Sequence, residues 1–270
     1  MMKRIWNSIE TIILLLIILI CVLPFLYMFF MSFKSTLNAY DLHFSLGEMT
    51  LEHYRTIFGK PEIIRYFFNS LFVSVCGVLL TLVTSSLAGY AFARLRFKGN
   101  DFFFLLVTLT MFVPGEAILI QMYTVVRGMD MINTFWALIL PLPSALGVFI
   151  VRQAILAVPM EIIESARIDG ARELSILVKM ILPLIKSALL TVGIFAFIGA
   201  WNSFTWPLIV TTKDEMRTLP VALTTLKTQY DTDVGLVMAC AVLTFLPPFI
   251  VYLLMQSRFE EGIAQSGLKG

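Results

Sequence analysis

The sequence is poor in charged residues. Only 14% of its 270 residues are charged, whereas 59% are hydrophobic. Soluble domains carry about 25% charged residues, so this chain has too little polar surface to cover a water-exposed globule. The net charge of +2 is small and gives no support for nucleic-acid binding. The composition therefore predicts a membrane protein whose solvent is the lipid bilayer.

Residues that build catalytic and metal sites are scarce as well. The three cysteines fall in apolar stretches without the spacing of a metal site, and both histidines, His43 and His53, lie in one loop. A phosphate-binding loop of the form Gly-x-x-x-x-Gly-Lys-Ser/Thr is absent, because Pro61 follows the pair Gly59-Lys60. We therefore expect no metal site, no catalytic residues and no ATP hydrolysis by this chain.

Long apolar runs are what the sequence does have. A membrane-spanning helix needs about 20 mainly apolar residues, and its backbone polar groups must pair within the helix because lipid offers no partners. Six runs qualify: residues 11–33, 66–93, 102–126, 135–158, 184–210 and 234–257. The fold class predicted is all-α integral membrane, with six transmembrane helices in a single domain over residues 1–270. The first run exceeds the roughly 7–15 apolar residues of a signal peptide, so we interpret it as a retained helix.

Lys and Arg residues set the expected orientation. With both termini placed in the cytoplasm, twelve of them fall inside and eight outside. In the short turn from Arg94 to Lys98, every charged residue is basic. Because cytoplasmic loops carry an excess of Lys and Arg, the pattern favours cytoplasmic termini.

The loop over residues 159–183 differs from an ordinary connection between spans. Pro159 suits the first turn of a helix, and Gly170 suits its end. The segment thus predicts two short amphipathic helices joined by a glycine turn, the second beginning near Ala171. A helix lying on the membrane surface has a similar pattern, but acids such as Glu161 and Glu173 favour a protein partner with a groove for the helix.

This loop resembles the EAA loop of bacterial ATP-binding-cassette (ABC) importer permeases. The family pattern is Glu-Ala-Ala, three residues, Gly, nine residues and Ile-x-Leu-Pro; here it is Glu164-Ser165-Ala166-x-x-x-Gly170 and then Met180-Ile181-Leu182-Pro183. Ser165 and Met180 are mild departures. The stretches 88–94, 201–208 and 262–270 resemble the carbohydrate branch, and most closely the second, six-helix permease of maltose-type importers.

The resemblance implies a permease subunit for a sugar or related polyol in the cytoplasmic (inner) membrane of a bacterium or archaeon. It implies three kinds of partner: a second, different permease, an ATPase dimer that binds ATP and Mg²⁺, and an extracytoplasmic solute-binding protein. This chain itself is expected to bind no cofactor. The residues implied in coupling to the ATPase are Glu164, Ser165, Ala166, Arg167, Asp169, Gly170, Leu182 and Pro183. Glu164 and Arg167 either contact the ATPase or clamp the loop to itself.

Polar and aromatic residues within the runs are candidates for the substrate pathway, because polar groups in membranes tend to face the bundle interior or a water-filled path. The candidates are Asn69, Ser70, Ser74, Gln121, Tyr123, Asn202, Phe204 and Trp206. The alternative is that the aromatic residues anchor the spans at the interface and the hydroxyls bond to their own helix. Glu116, beside Pro114-Gly115, is either a proton-coupling group or a residue at a broken helix, and we favour the second.

Other functions stay open from the sequence. The motifs are shared with permeases for glycerol-phosphate or another solute class. A secondary transporter driven by an ion gradient usually shows internal repeats and paired intramembrane ionisable residues, whereas Glu116 stands alone here. A purely structural membrane-assembly subunit would show no transport defect when residues 161–183 of the loop are altered.

Overall fold

The structure is a computed structural model that describes residues 2–34, 49–229 and 233–267, with side chains over 10–34, 49–224 and 233–256. Helices make up most of these residues, and no strand occurs among them beyond one isolated bridge between Lys34 and Met49. The α-helices are α1 (Met2–Met31), α2 (Glu52–Phe58), α3 (Pro61–Arg94), α4 (Asn100–Leu109), α5 (Leu119–Gly128), α6 (Phe135–Ile139), α7 (Ala145–Leu156), α8 (Met160–Ile168), α9 (Glu173–Ile176), α10 (Leu182–Leu184), α11 (Lys186–Trp201), α12 (Thr205–Val210), α13 (Leu219–Gln229) and α14 (Val234–Gly267). The all-α membrane fold class is confirmed.

Among the residues that the structure describes, three helices are long and apolar enough to cross a membrane: Glu10–Met31, Pro61–Arg94 and Val234–Gln256. Three further helix pairs reach the same length and composition only if each bent pair counts as one span, which brings the number to as many as six. Large apolar side chains of α1 are exposed from Ile12 to Phe30. In water this exposure would be costly, whereas lipid solvates such a surface.

The third predicted run, 102–126, is broken rather than continuous. A short 3₁₀ turn, Thr110–Phe112, ends the first part, and Gly115–Ile118 begins the second. The two arms, Asn100–Phe112 and Gly115–Gly128, meet at 101°. Pro114 explains the break, because it has no amide hydrogen and keeps the preceding residue out of the helical conformation.

The fourth and fifth predicted runs are interrupted too. In the run 135–158, α6 ends at Ile139 and α7 begins at Ala145; Pro141 and Pro143 lie in the gap. In the run 184–210, α11 ends at Trp201 and α12 begins at Thr205. There Pro207 would clash with the carbonyl of Ser203 in a continuous helix, so the chain restarts with Pro207 in the first turn.

The chain forms two compact units, Met1–Ile64 with Ala222–Pro247 and Arg65–Val221 with Pro248–Gly270. In the first unit the buried His53 lies with Nε2 3.1 Å from the Lys34 carbonyl and Nδ1 3.6 Å from the Asp233 carboxylate. The Ser32 and Tyr54 hydroxyls are 2.8 Å apart. These contacts join the end of α1, α2 and the start of α14.

Two buried apolar clusters lie among the described residues of the second unit. One lies around α6 and includes Val73, Val126 and Leu138. The other joins α3, α7 and the 159–183 loop, and its buried members are Tyr90, Val151, Ile155, Val158, Ile163, Ala166, Ile176, Leu177, Ile181, Ile185 and Val192. Because the loop supplies many of these side chains, it is part of the core rather than a loose connection.

Close packing of α3 on α7 depends on glycine. A Cβ placed on Gly89 would lie 2.8 Å from the Val151 side chain and 3.1 Å from the backbone nitrogen of Arg152. A Cβ on Gly147 would collide with the Ser85 hydroxyl. Small residues at such crossings let helix backbones approach closely in membranes, and the crossing fixes the α3 end against which the loop packs.

Candidate functional site

The first arm of the loop is the amphipathic helix α8. Pro159 occupies its N-cap position and Glu161 its first turn. Ile163 and Ala166 are buried in the core cluster, whereas Ile168 is 86% exposed at the other end. One face of α8 is therefore anchored, and its C-terminal tip presents an apolar side chain outward.

A glycine turn ends α8. Gly170 has φ +77°, its amide donates to the Arg167 carbonyl at 3.0 Å, and the Ala171 amide donates to the Ala166 carbonyl at 3.0 Å. This pair of bonds is the Schellman motif, which requires the left-handed conformation at the residue after the cap. The second helical arm begins at Glu173, close to the predicted Ala171.

A three-residue network clamps the two arms together. Arg167 donates from Nε and Nη2 to the Glu173 carboxylate at 2.8 and 3.2 Å. The hydroxyl of Tyr90, a buried residue of α3, donates to the same carboxylate. The hydrogen bonds from Arg167 and Tyr90 hold the pKa of Glu173 below its ordinary value, and those to Glu173 raise the pKa of Arg167.

The sequence left two roles for Glu164 and Arg167, contact with the ATPase or a clamp within the loop. Arg167 forms the clamp within the loop. Glu164 is exposed, as are Ser165 and Asp169. The Ser165 hydroxyl donates to the Ile162 carbonyl of its own helix at 3.1 Å. Ala166 serves as a buried packing residue.

The second arm changes helix type before it bends. A π-helical segment, Leu177–Ile181, follows α9 and leads into α10. The arm Glu173–Leu184 then meets Lys186–Trp201 at 85°. Leu182 is partly buried and Pro183 exposed, so these two predicted residues mark the bend. Single π turns within helices are frequent at functional sites.

Arg94, at the C-terminal end of α3, forms hydrogen bonds next to the start of the loop. Arg94 donates to the Ile155 carbonyl at 2.6 Å and also to the Val158 carbonyl. These carbonyls belong to the C-terminal turn of α7 and the residues after it, where a cation is electrostatically favoured. Arg94 thereby fixes the exit from α7 into α8.

Two of the predicted pathway residues, Asn69 and Ser70, form hydrogen bonds with another segment of this chain. The Asn69 amide donates to the carbonyls of Glu215 and Arg217 at 2.8 and 2.9 Å. Ser70 accepts from the Leu219 amide at 2.8 Å. Both residues of α3 therefore hold the segment 215–219, which Asp214 also anchors through Tyr66 at 2.7 Å.

The other pathway candidates are dispersed. Trp206 donates from its indole to the Ala137 carbonyl at 2.8 Å, and Tyr123 packs on the cluster around α6. Ser74 is buried, and its hydroxyl has no hydrogen-bond partner among the described residues. Gln121, Asn202 and Phe204 are exposed. A solute contact at these eight residues remains a prediction.

Glu116 lies in the first turn of the 3₁₀ helix Gly115–Ile118, exposed at the break in the third run. This position corresponds to the broken-helix interpretation of the residue. Within the described part of the chain, no group of three or more His, Cys, Asp or Glu residues is arranged to hold a metal ion.

Sequence reasoning missed Tyr90 and Arg94 as functional residues. Both belong to the stretch 88–94, which we considered for its resemblance to carbohydrate permeases, and Arg94 entered also as a basic residue of the turn that indicates orientation. A tyrosine and an arginine four residues apart at the end of an apolar run are a usable signal, since side chains at that spacing lie on one helix face.

Comparisons with known proteins identify a family and relatives of similar length. Residues 82–265 match the family described as binding-protein-dependent transport system inner membrane component. The arabinooligosaccharides transport system permease protein AraQ of Halalkalibacterium halodurans is 35% identical over 93% of this chain and 92% of its own. The sn-glycerol-3-phosphate transport system permease protein UgpE of Brucella melitensis is 32% identical over 96% of both.

A solved structure shares the fold. It is a bacterial ABC transporter involved in the import of the acidic polysaccharide alginate, of which one chain aligns with a TM-score of 0.85. The alignment covers 95% of this chain and 97% of that one, at 23% identity. The shared fold therefore extends over nearly the whole of both chains.

Proposed function

This chain belongs to the family of binding-protein-dependent transport system inner membrane components, and on that premise we propose that its solute is an oligosaccharide. It is a multi-pass membrane permease subunit of a carbohydrate-type ABC importer. The arabinooligosaccharide permease is the relative that supports the solute class, at 35% identity over 93% of the chain. Glycerol-3-phosphate is the second candidate, because the Brucella permease is 32% identical.

The observation that carries the mechanism is the clamped loop with an exposed tip. Ile168 and Leu174 are 86% and 62% exposed, on arms held together by Arg167, Glu173 and Tyr90. An apolar helix tip on a rigid support suits insertion into a groove of a protein partner. In this proposal the partner is a separate ATPase, and the loop transmits its movement to the permease helices as a rigid body.

Energy for transport then comes from outside this chain. ATP and Mg²⁺ bind to the ATPase dimer, and this chain takes part as a non-catalytic subunit without a cofactor of its own. A second, different permease completes the pathway, and an extracytoplasmic binding protein delivers the solute. With the 159–183 loop on the cytoplasmic side, both termini are cytoplasmic, as the excess of Lys and Arg favours.

Uptake by cells or proteoliposomes that contain the full transporter tests the solute and the energy source together. We expect labelled arabinooligosaccharide to enter and to be competed by other oligosaccharides but not by glycerol-3-phosphate. Vanadate should stop uptake, whereas a proton ionophore should leave the initial rate unchanged at constant ATP. Competition by glycerol-3-phosphate alone would reassign the solute, and loss of uptake with ionophore alone would favour an ion-coupled transporter.

A further inference from the structure

A cavity of about 750 Å³ opens beside the 159–183 loop. It lies where α3 ends, at the turn over residues 95–99, and where α4 begins. Six charged side chains line it: Arg94, Arg96, Lys98, Asp101, Arg152 and Glu164. Four cations face two carboxylates, so the cavity has an excess of positive charge and attracts an anion.

Two of the cations build the wall. Arg94 is committed to the Ile155 and Val158 carbonyls. Arg152 donates to the Phe92 carbonyl at 3.3 Å, and its guanidinium lies 4.0 Å from the ring centre of Phe104. These contacts place both guanidinium groups before any ligand arrives, so the wall is preorganised.

The other two cations are available to a ligand. Arg96 and Lys98 are exposed at the rim, and neither forms an ion pair or hydrogen bond with the part of the chain that the structure describes. Cations that serve only to orient a membrane protein need no cavity behind them. Here they stand in front of a preorganised wall, which is the arrangement of a binding site.

The surroundings of the cavity suit the level of the lipid headgroups. The apolar span α3 ends at Arg94, and α4 starts at Asn100. Phe97, Phe102 and Phe103 beside it are 43%, 59% and 50% exposed. Aromatic side chains exposed next to cations at the end of a span are typical of the boundary between hydrocarbon and headgroups.

We propose that this cavity binds the phosphodiester headgroup of an anionic phospholipid. Arg96 and Lys98 pair with the phosphate, and the acyl chains lie along the exposed rings of Phe102 and Phe103. Basic pockets between membrane helices bind headgroups of this kind. An acidic segment of a protein is the weaker occupant, because exposed aromatic rings at the rim suit acyl chains.

Occupancy of the cavity acts on the loop. Met160 and Glu164 of α8 line the same cavity, and Arg94 contacts the Met160 sulfur at 3.4 Å. A headgroup bound here contacts the helix on which the Ile168 tip is carried. The anionic lipid content of the membrane thereby becomes a regulator of the loop.

The test is a lipid titration of the full chain, purified with the subunits that accompany it and then delipidated. Native mass spectrometry counts bound dioleoylphosphatidylglycerol and, separately, dioleoylphosphatidylcholine. We expect Arg96→Gln/Lys98→Gln to weaken phosphatidylglycerol binding on the order of tenfold and to leave phosphatidylcholine unchanged. Arg96→Lys/Lys98→Arg should retain binding, which shows that charge is what the site requires.

Lys179→Gln/Lys186→Gln is the matched control, since it removes two exposed cations outside the cavity. Unchanged phosphatidylglycerol binding in the cavity variant, or an equal loss in the control, would overturn the site. Displacement of the lipid by millimolar inorganic phosphate would show a site for free phosphate. Unchanged lipid binding with loss of a co-purified protein subunit would assign the cavity to that protein instead.

Discussion

Tyr90 of α3 donates its hydroxyl hydrogen to Glu173, the first residue of α9, across 83 positions of sequence. Arg167 holds the same carboxylate from the opposite arm of the loop. The carboxylate thus joins a membrane-spanning helix to both arms of the loop that we assign to ATPase docking. In the proposed function, this junction is the direct route by which a movement of the loop reaches α3.

Tyr90→Phe removes that hydrogen bond and leaves the ring in the core. A hydrogen bond to a charged group contributes about 1.5–3 kcal/mol, so we expect the number of solute molecules transported per ATP to fall about fivefold or more. Glu173→Gln should act in the same direction. Because the two residues share one interaction, the double variant should lose less than the product of the single effects. Fully multiplicative losses would show that Tyr90 and Glu173 act independently.

Gly170 tests the geometry of the turn. Its φ of +77° disfavours any residue with a Cβ, although a Cβ there meets nothing within 4 Å. Gly170→Ala should therefore destabilise the turn by about 1 kcal/mol through backbone strain, and lower both the thermal midpoint and transport per ATP. Gly128→Ala is the matched control, since a Cβ there also meets nothing within 4 Å, and Gly128 has no positive φ. Equal effects of the two substitutions would contradict the role of the turn.

The clamp should depend on pH in one direction. The hydrogen bonds from Arg167 and Tyr90 lower the pKa of Glu173 from the ordinary value of 4.5, so its contribution to stability is present above pH 4.5. It is lost as pH falls through the lowered pKa, because the protonated acid no longer pairs with Arg167. We expect the difference in thermal midpoint between wild type and Glu173→Gln to shrink below pH 4.5. A difference that stays constant down to pH 3 would contradict the clamp.

A substitution of Asn69 distinguishes a structural role of this residue from a role in the solute pathway. Its amide hydrogen bonds to Glu215 and Arg217 predict that Asn69→Leu lowers the thermal midpoint, at a cost of about 1–3 kcal/mol for the carbonyls left unpaired. The maximal transport rate should fall while the KM for solute changes little. A raised KM with an unchanged thermal midpoint would instead place Asn69 on the solute pathway.

Helix type and the two-armed loop were predictable because they follow from local signals. Apolar runs of sufficient length predict the spans, and Pro159 and Gly170 mark the ends of α8. The interruptions near Pro114, Pro141 and Pro207 were harder to predict from the sequence, because the packing of neighbouring helices determines whether a proline kinks a helix or ends it. The structure divides each of these runs into shorter helices near its proline residues.

The clamp was not predictable from the sequence, because it depends on contacts between distant residues. In the sequence, Glu173 is one acid among several in the loop, and Tyr90 is part of an apolar run and of the stretch 88–94 that resembles carbohydrate permeases. Their meeting is set by the packing of α3 on α7, where Gly89 allows close approach. The same limit applies to Asn69 and Ser70, whose partners lie about 150 residues away in the segment 215–219.

The most direct test of the central claim is co-purification of an ATPase with the full chain in mild detergent. Ile168 is 86% exposed at the tip of α8, and Leu51, outside the loop, is 58% exposed. We predict that wild type and Leu51→Asp recover an ATPase and a second permease, whereas Ile168→Asp recovers the second permease without the ATPase. Recovery of the ATPase with Ile168→Asp, or of no ATPase with wild type, would contradict the assignment of the loop.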